Sequence, residues 1–321
     1  MKSAEFHRML DELGCLTRSQ RHRLRDELDR KILASEVVTL LDRDEDGKPA
    51  CPHCHGERIY KWGVSSGLQR YRCRQCLRTF NTLTHTPLAR LRHKEKWLSY
   101  GEALIEGLSV RKAAARCGVA KNTSFKWRHR FLQSPSAQKA EQMQGIAEAD
   151  ETFFRESFKG KRNMTRKARK RGGKHKGAPS EMIPVLVVRD RHGATADFLM
   201  QGVSAKDIEP VLTPLLSSDI ILCTDGASAY HIVARHIGVE HHQVNTTRGI
   251  RVVRRAYHIQ NVNAYDRRLK QWMDRFHGVA TRYLENYLGW RRMIERFGNS
   301  INPKTCLYAA LGDTFQQLNT T

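Results

Sequence analysis

Apolar positions change their period along the chain. In residues 1–45, Phe6, Met9, Leu10 and Leu13 recur at helical spacing and Leu24 and Leu28 repeat it, which predicts two short helices. Residues 46–85 lose that period and become cysteine-containing and glycine-punctuated. Helical spacing returns over 93–132. The polar run 133–144, with Pro135 inside it, reads as a linker. Beyond it lie four apolar runs of strand character: IAEADETFF, MIPVLVVRD, ATADFLM and IILCTDG. AKDIEPVLTPLL, between the third and fourth, is helix-like. Over 262–276 the residues Tyr265, Leu269, Trp272 and Phe276 make one apolar stripe of a helix. Strands separated by a helix predict a mixed sheet with helices packed on it. No internal repeat is visible.

The pattern divides the chain into a helical segment (1–45), a cysteine module (46–85), a helical module (86–135) and a larger core (140–321). The overall class is α+β and multidomain. With 321 residues, 40% of them hydrophobic, the chain can build several real cores.

Charge narrows the partner. The formal net charge is +23. Such an excess draws a protein to polyphosphate, because each phosphate neutralised releases a counterion. Double-stranded DNA is the expected partner. No apolar stretch is long enough to span a bilayer, so no membrane partner is expected. The first residues lack the apolar core of a signal peptide, which points to the cytosol.

Of eight cysteines, four fall into two pairs. Cys51-Pro-His-Cys54 and Cys73-Arg-Gln-Cys76 are separated by 18 residues. Two such knuckles make a closed tetrahedral thiolate site, which predicts one structural Zn²⁺ on Cys51, Cys54, Cys73 and Cys76. Arg58, Lys61, Arg70, Arg72, Arg74 and Arg78 surround them, interleaved with Tyr60, Trp62 and Tyr71, and offer docking for bases and phosphates. Cys15, Cys117, Cys223 and Cys306 stand singly among apolar residues and read as buried thiols.

Residues 108–131 have the grammar of a helix-turn-helix. Ser109 is a cap, Ala113, Ala114 and Cys117 permit a tight crossing, and Gly118 sits at the turn. Phe125, Trp127 and Phe131 are the expected anchors of the second helix. Lys121, Asn122, Thr123, Ser124, Lys126, Arg128 and Arg130 are the expected DNA-facing residues. Two more basic stretches lie in the core. Residues 159–176 read as an arm along a phosphate backbone; Arg248, Arg251, Arg254 and Arg255 read as a grip on DNA.

Two carboxylates carry the chemistry. Asp150 lies inside an apolar strand and Asp225 ends another. Burying a carboxylate in a strand is costly unless it binds something. Two of them in one strand-rich domain of a basic protein suggest a site where two Mg²⁺ or Mn²⁺ ions promote phosphoryl transfer.

The order of cysteine knuckles, helical hairpin and strand-borne aspartates resembles the ISXO-two-like group of bacterial insertion-sequence transposases. AEADE and TDG match the group's first two motifs, at Asp150 and Asp225. The resemblance implies a zinc ribbon, a DNA-binding helix-turn-helix and a ribonuclease-H-like α/β catalytic core. It implies a DDE-type enzyme that cuts element ends and joins them to target DNA with a divalent metal. It also implies a homo-oligomer, dimer or larger, in the synaptic complex, and a nucleoid-associated place in a bacterial cytoplasm. The group's third residue opens a helix after a histidine. Here His258 is followed by Asn263, where many relatives carry Glu, and Lys270 matches the group's basic residue two turns on. The resemblance therefore assigns Asp150, Asp225 and Asn263 to metal and Lys270 to the DNA end, an Asp-Asp-Asn-Lys variant of the DDE pattern. Asp266, one turn beyond Asn263, is the alternative third ligand. Glu151 is expected to face away from the metal, because neighbours in a strand point to opposite faces.

Overall fold

The computed structural model describes residues 2–42, 49–163, 181–244 and 249–313. Arg248 and most of the basic stretch 159–176 lie outside them. The chain divides into two compact units, Met1–Trp127 with Asn302–Asp313, and Arg128–Ile301 with the last residues.

The first unit begins with helices α1, Ser3–Glu12, and α2, Arg18–Leu41. Thr17 caps α2: its hydroxyl accepts from the Gln20 N–H while Gln20 reaches back to the Thr17 N–H. The second helix is long rather than short, because no breaker falls between Arg18 and Leu41. Its Leu28 and Ile32 stay exposed and burial begins only at Val37 and Leu41. Cys15 is exposed, unlike the buried thiol expected there; α1 buries nothing and gives that turn no core to enter. Cys117, Cys223 and Cys306 are buried. Strands β1 (Ile59–Ser65), β2 (Leu68–Cys73) and β3 (Thr79–Phe80) form an antiparallel sheet in that order. Helices α3 (Trp97–Ile105), α4 (Val110–Arg116) and α5 (Lys121–Phe131) follow.

The second unit opens inside α5, at Arg128, and continues with a short helix, α6, Gln133–Ala137. Strands β4 (Ile146–Arg155), β5 (Met182–Asp190) and β6 (Thr195–Leu199) come next, as the apolar runs predict. Then follow α7 (Ala205–Leu212), β7 (Ile221–Thr224), α8 (Ser228–Ile237) and β8 (Glu240–Gln243). Helices α9 (Gln260–Asp274) and α10 (Leu284–Phe297) end the unit. The last helix, α11 (Pro303–Leu311), belongs to the first unit and packs on α3; a Cβ at Gly101 would come within 3.1 Å of the Pro303 backbone.

The five strands of the second unit are ordered β6-β5-β4-β7-β8. β4, β5 and β6 are antiparallel neighbours, whereas β7 and β8 run parallel to β4. Alternation along β4 splits its side chains cleanly. Ala147 and Ala149 face a core built with Leu186, Val188, α7 and α8. Glu148, Asp150 and Thr152 occupy the other face, which α9 covers. The predicted stripe Tyr265, Leu269, Trp272 and Phe276 is buried, and Trp272 and Phe276 join Tyr287 and Trp290 of α10 in an edge-to-face cluster. β8 has the sequence EHHQ and no apolar pattern to betray it.

The polar run 133–144 is a packed segment rather than a linker. Met143 is in the core, and the Arg292 guanidinium on α10 donates to the carbonyls of Pro135 at 3.2 Å and Ser136 at 2.9 Å. Arg292 also pairs with Asp197 of β6, both almost fully buried. Composition missed this because several of the contacts are made by backbone carbonyls. Among the described residues, no helix is long and apolar enough to cross a membrane.

Gly289 shows how close the approach is. A Cβ there would sit 2.4 Å from Ser136 Cα and 2.7 Å from the Pro135 carbonyl. Since backbone cannot yield as a side chain does, Gly289→Ala is expected to cost about 2–3 kcal/mol. The midpoint of urea unfolding of the full chain checks this; an unchanged midpoint would contradict the close packing of α6 on α10.

Candidate functional site

The cysteine module is built from two matching turns. In each, the residue after the second cysteine takes a left-handed conformation, His55 at φ 59° and Leu77 at φ 59°. Its N–H donates to the carbonyl of the first cysteine, His55 to Cys51 at 2.8 Å and Leu77 to Cys73 at 3.1 Å. This folds both thiols of a pair to one side. Cys51 and Cys76 Sγ lie 3.6 Å apart, as do Cys54 and Cys73 Sγ, and all four sulfurs fall within 4.8 Å. Tetrahedral zinc with bonds of about 2.3 Å requires sulfurs about 3.8 Å apart, so the cluster is compatible with zinc. N–H groups of Cys76 and Gln75 turned toward Cys73 bring its thiol down to about 7, while burial and the neighbouring cysteines push Cys54 up to about 12. On the hairpin outside, Arg72 lies over the Trp62 ring at 4.8 Å and Arg74 over Tyr60 at 5.3 Å.

In the helical module α4 and α5 are joined by a short turn through Gly118 at φ 57°, and Ser109 accepts from the Lys112 N–H to cap α4. Lys121, Asn122 and Lys126 are exposed, and Thr123 and Arg130 half-buried. Three expectations are corrected. Arg128 is buried, its guanidinium 4.4 Å over the Trp290 ring, so it serves packing rather than solvent. Ser124 is buried, donating to the Val110 carbonyl at 3.0 Å. Phe125, expected as an anchor, is 40% exposed beside Lys121, Asn122 and Lys126. Helical periodicity alone could not separate the two sides, because apolar and basic residues alternate through WRHRF. In the second unit Arg251 is exposed, and Arg254 and Arg255 form an exposed turn closed by the Val253–Tyr257 bridge.

Strand order assembles the acidic site. β4 and β7 are parallel neighbours paired through Ala149 and Thr224, so Asp150 follows on β4 and Asp225 follows just past the end of β7. Asp150 accepts from the Glu151 N–H at 2.9 Å, and Asp225 from the Ala227 N–H at 2.9 Å ahead of α8. Burial, reinforced by the Asp225 charge and opposed by Lys270, pushes the Asp150 carboxyl up to about 6. Asp266 is more buried still, 6% exposed, and desolvation with the Asp150 charge pushes it up to about 8. Asn263 and Lys270 are exposed on the same helix. Glu151 points to the opposite face, toward Tyr230, and burial pushes it up to about 7. Among the described residues, only the four cysteines gather three or more acidic, histidine or cysteine ligand atoms within 4.8 Å.

Glu148 is the residue that reading the sequence missed. It is fully buried on β4, two positions before Asp150. Its carboxylate accepts from the N–H groups of Asn261 at 2.8 Å and Val262 at 3.0 Å, and from the Asn261 amide at 3.0 Å. It thus caps the first turn of α9 from another element. Arg191 completes the clasp, 3.1 Å from Glu148 and 2.6 Å from His258 Nε2. Arginine only donates, so Nε2 accepts from it, while Nδ1 lies 3.3 Å from the Gln260 backbone nitrogen and 3.3 Å from Glu148. The cost argument that singled out Asp150 applies equally to Glu148 and would have found it.

Residues 142–291 match the family model of the ISXO2-like transposase domain. The domain holds every acidic residue just described. An uncharacterised protein in transposable element ISH50 of Halobacterium salinarum is 26% identical over 275 residues, covering 81% of this chain and 91% of that relative. The domain match and this relative support an insertion-sequence transposase. Two solved structures show distant likeness. The simian T-cell lymphotropic virus intasome in complex with PP2A regulatory subunit B56 gamma has a TM-score of 0.29 at 9% identity, over 61% of this chain and 68% of that one. A pre-cleavage Mos1 transpososome has a TM-score of 0.22 at 12% identity, over 67% and 78%. Likeness this distant carries no weight for function.

Two outcomes follow for the matched residues 142–291. Glu148→Gln leaves Arg191 and the first turn of α9 facing a neutral amide, and is expected to cost about 3–5 kcal/mol as a broken buried pair. Urea unfolding measures it; a loss under 1 kcal/mol (roughly the value of an exposed pair) would deny the clasp its role. The second outcome concerns pH. Asp150, Glu151 and Asp266 hold their protons more tightly folded than unfolded. Stability of the zinc-loaded chain, free of Mg²⁺ and Mn²⁺, is therefore expected to fall as pH rises from about 4 to about 8. Calorimetry at several pH values is the check, and Asp266→Asn is expected to flatten the decline.

Proposed function

We propose that the protein is a DDE-type DNA transposase in the Asp-Asp-Asn-Lys form, with a ribonuclease-H-like core, which recognises the ends of an insertion sequence and joins them to target DNA. One observation carries the reading. Within the matched domain, Asp150 and Asp225 come side by side on parallel strands, and the helix bearing Asn263, Asp266 and Lys270 is clasped to the same strand by Glu148.

The residues fit a divalent metal. Two neighbouring carboxylates and a buried Asp266 oxygen with no hydrogen-bond partner supply hard oxygen donors of the kind Mg²⁺ and Mn²⁺ prefer. Asp150 and Asp225 would hold it, with Asn263 contributing its carbonyl. The metal, when bound, would supply Lewis-acid stabilisation of charge on the phosphoryl oxygens. The protein's own groups do the rest. Lys270 extends from the exposed side of α9 and engages a phosphate of the DNA end. The clasp keeps α9 in register with β4, so that this lysine and the aspartates act on one phosphodiester. In the first step water attacks the phosphorus and releases a 3′-hydroxyl. In the second that hydroxyl attacks a target phosphodiester, displacing its 3′ oxygen. No protein nucleophile takes part, and none is assigned.

Zinc at Cys51, Cys54, Cys73 and Cys76 would hold the first sheet together, since its strands have little other core. The α4–α5 pair would act as a helix-turn-helix, with Lys121, Asn122, Thr123 and Lys126 meeting DNA and Arg130 at its margin. Arg248 and Arg251 would grip DNA from the second unit. A synaptic complex of two or more copies would bring two ends together. The exposed position of Asn263 favours one alternative, a DNA-binding regulator without catalysis.

Cleavage and strand-transfer assays on element ends decide between them. Asp150→Asn and Asp225→Asn are each expected to abolish both steps with Mg²⁺ or Mn²⁺ while leaving DNA affinity intact. A wild-type chain inactive on its own element ends would favour the regulator. Lys121→Ala with Lys126→Ala is expected to weaken end binding and lower the slope of affinity against salt by about 2. Cys73→Ser is expected to release the zinc; metal analysis showing full zinc would remove the ribbon assignment.

A further inference from the structure

The sheet of the cysteine module has two faces of opposite character. Tyr71, Cys73 and Phe80 turn toward the sulfur cluster. Alternation along β2 puts Arg70 and Arg72 on the other face, and Arg74 follows just past the strand's end. β1 supplies that face with aromatic rings. Tyr60 pairs with Arg72 in register, and Trp62 meets Tyr60 edge-on at 5.6 Å between ring centres. Arg72 lies over the Trp62 ring and Arg74 over the Tyr60 ring, so cations and rings interleave. Two hydrogen bonds hold the guanidinium groups further: Arg70 donates to the Thr79 hydroxyl at 3.4 Å and Arg72 Nε to the Leu77 carbonyl at 3.2 Å. Trp62 remains 44% exposed and outside the buried cluster, so core packing does not account for it. From Arg58 to Phe80 the chain has no Asp or Glu, and among the described residues no carboxylate pairs with Arg70, Arg72 or Arg74. Three arginines fixed side by side without a counter-charge repel one another, and an anion set against them removes that repulsion.

We propose that this face is a second DNA-binding site, which follows the phosphates along one strand of duplex DNA without reading its bases. The inference rests on the reading of the protein as DNA-binding and gives the cysteine module a role beyond holding its own sheet together. Alternate residues of a strand repeat at about 6.6 Å, close to the separation of successive phosphates along a DNA strand. Arg70, Arg72 and Arg74 therefore present three cations in the rhythm of three phosphates. Ring contact covers one flat side of the Arg72 and Arg74 guanidinium groups and leaves their N–H edges, the donors that pair with phosphate oxygens. The rings also take away rotamer freedom that a long basic side chain would otherwise lose on binding. Arg72 and Arg74 bracket Cys73, so the turn that presents a sulfur also sets the spacing of the two cations.

The test is fluorescence anisotropy of the full zinc-loaded chain on two labelled duplexes of equal length, one carrying an element end and one of unrelated sequence, over a range of salt. The variant with Arg70→Gln, Arg72→Gln and Arg74→Gln together is expected to bind both duplexes more weakly by one common factor of about ten or more, and to lower the slope of log affinity against log salt by about 3. Trp62→Leu is expected to weaken both by about threefold with the slope unchanged, because the charges stay and only their backing is lost. Zinc content shows whether the module is folded in each variant. If the triple variant loses zinc, Arg74→Gln alone, at an exposed position, is expected to lower the slope by about 1. Wild-type affinity and slope in these variants, for a chain that binds both duplexes, overturn the proposal. So does a loss confined to the element end, which means base readout. Single-stranded DNA bound more tightly than duplex, with that preference gone in Trp62→Leu, means base stacking and overturns it too. A wild-type chain that binds neither duplex would instead remove the reading of the protein as DNA-binding.

Discussion

The placement of a single buried carboxylate governs the rest of the second unit. Glu148 sits in the middle strand of the sheet with no water to solvate it. It is tolerable there because the first turn of α9 presents N–H groups that no residue within the helix can satisfy, and because Arg191 neutralises it. Each partner resolves the other's unmet need. The helix is thereby fixed in both rotation and height against β4. A helix free to slide by one residue would turn its functional face through about 100° and carry Asp266 and Lys270 away from Asp150.

This clasp explains how an acidic site persists in a strongly basic protein. Most of the positive charge lies in exposed side chains, where water screens it. The acidic residues near the site are buried or half-buried on strands and on the inner side of α9. Desolvation pushes the carboxyls of Asp150, Glu151 and Asp266 above the usual range. The turn at Arg254 and Arg255 and the side chain of Lys270 are exposed and carry positive charge outside the buried acidic residues.

The first unit works by a different logic. Its cysteine sheet buries little beyond Cys51, Leu68, Cys73 and Phe80, so local turn geometry and sulfur chemistry must do what a core does elsewhere. Its helices α3, α4 and α5 are packed conventionally through Trp97, Tyr100, Leu104 and Trp127, with the distant α11 laid against α3. That return of the chain from beyond the second unit means that α11 is part of what a first-unit fragment would need.

Features governed by local rules were legible in the sequence. The two C-x-x-C turns, the Ser109 cap, the Gly118 turn, the four strands and the α9 stripe each depend on residues close in the chain, and spacing alone exposes them. Asp150 and Asp225 were legible too, because a carboxylate in an apolar strand is conspicuous in one dimension. Other features depended on residues far apart. The burial of Arg128 needed Trp290, and the order of the polar run 133–144 needed Arg292 and Gly289. β8 has no apolar period and exists because β7 offers it an unpaired edge. The role of Glu148 required α9, more than a hundred residues away, to bring its N–H groups. That Asp266 is buried and Asn263, one turn away, is exposed was decided by which side of the helix the sheet covers. Burial is a property of what packs against a residue, and a sequence states the residue but not its neighbour.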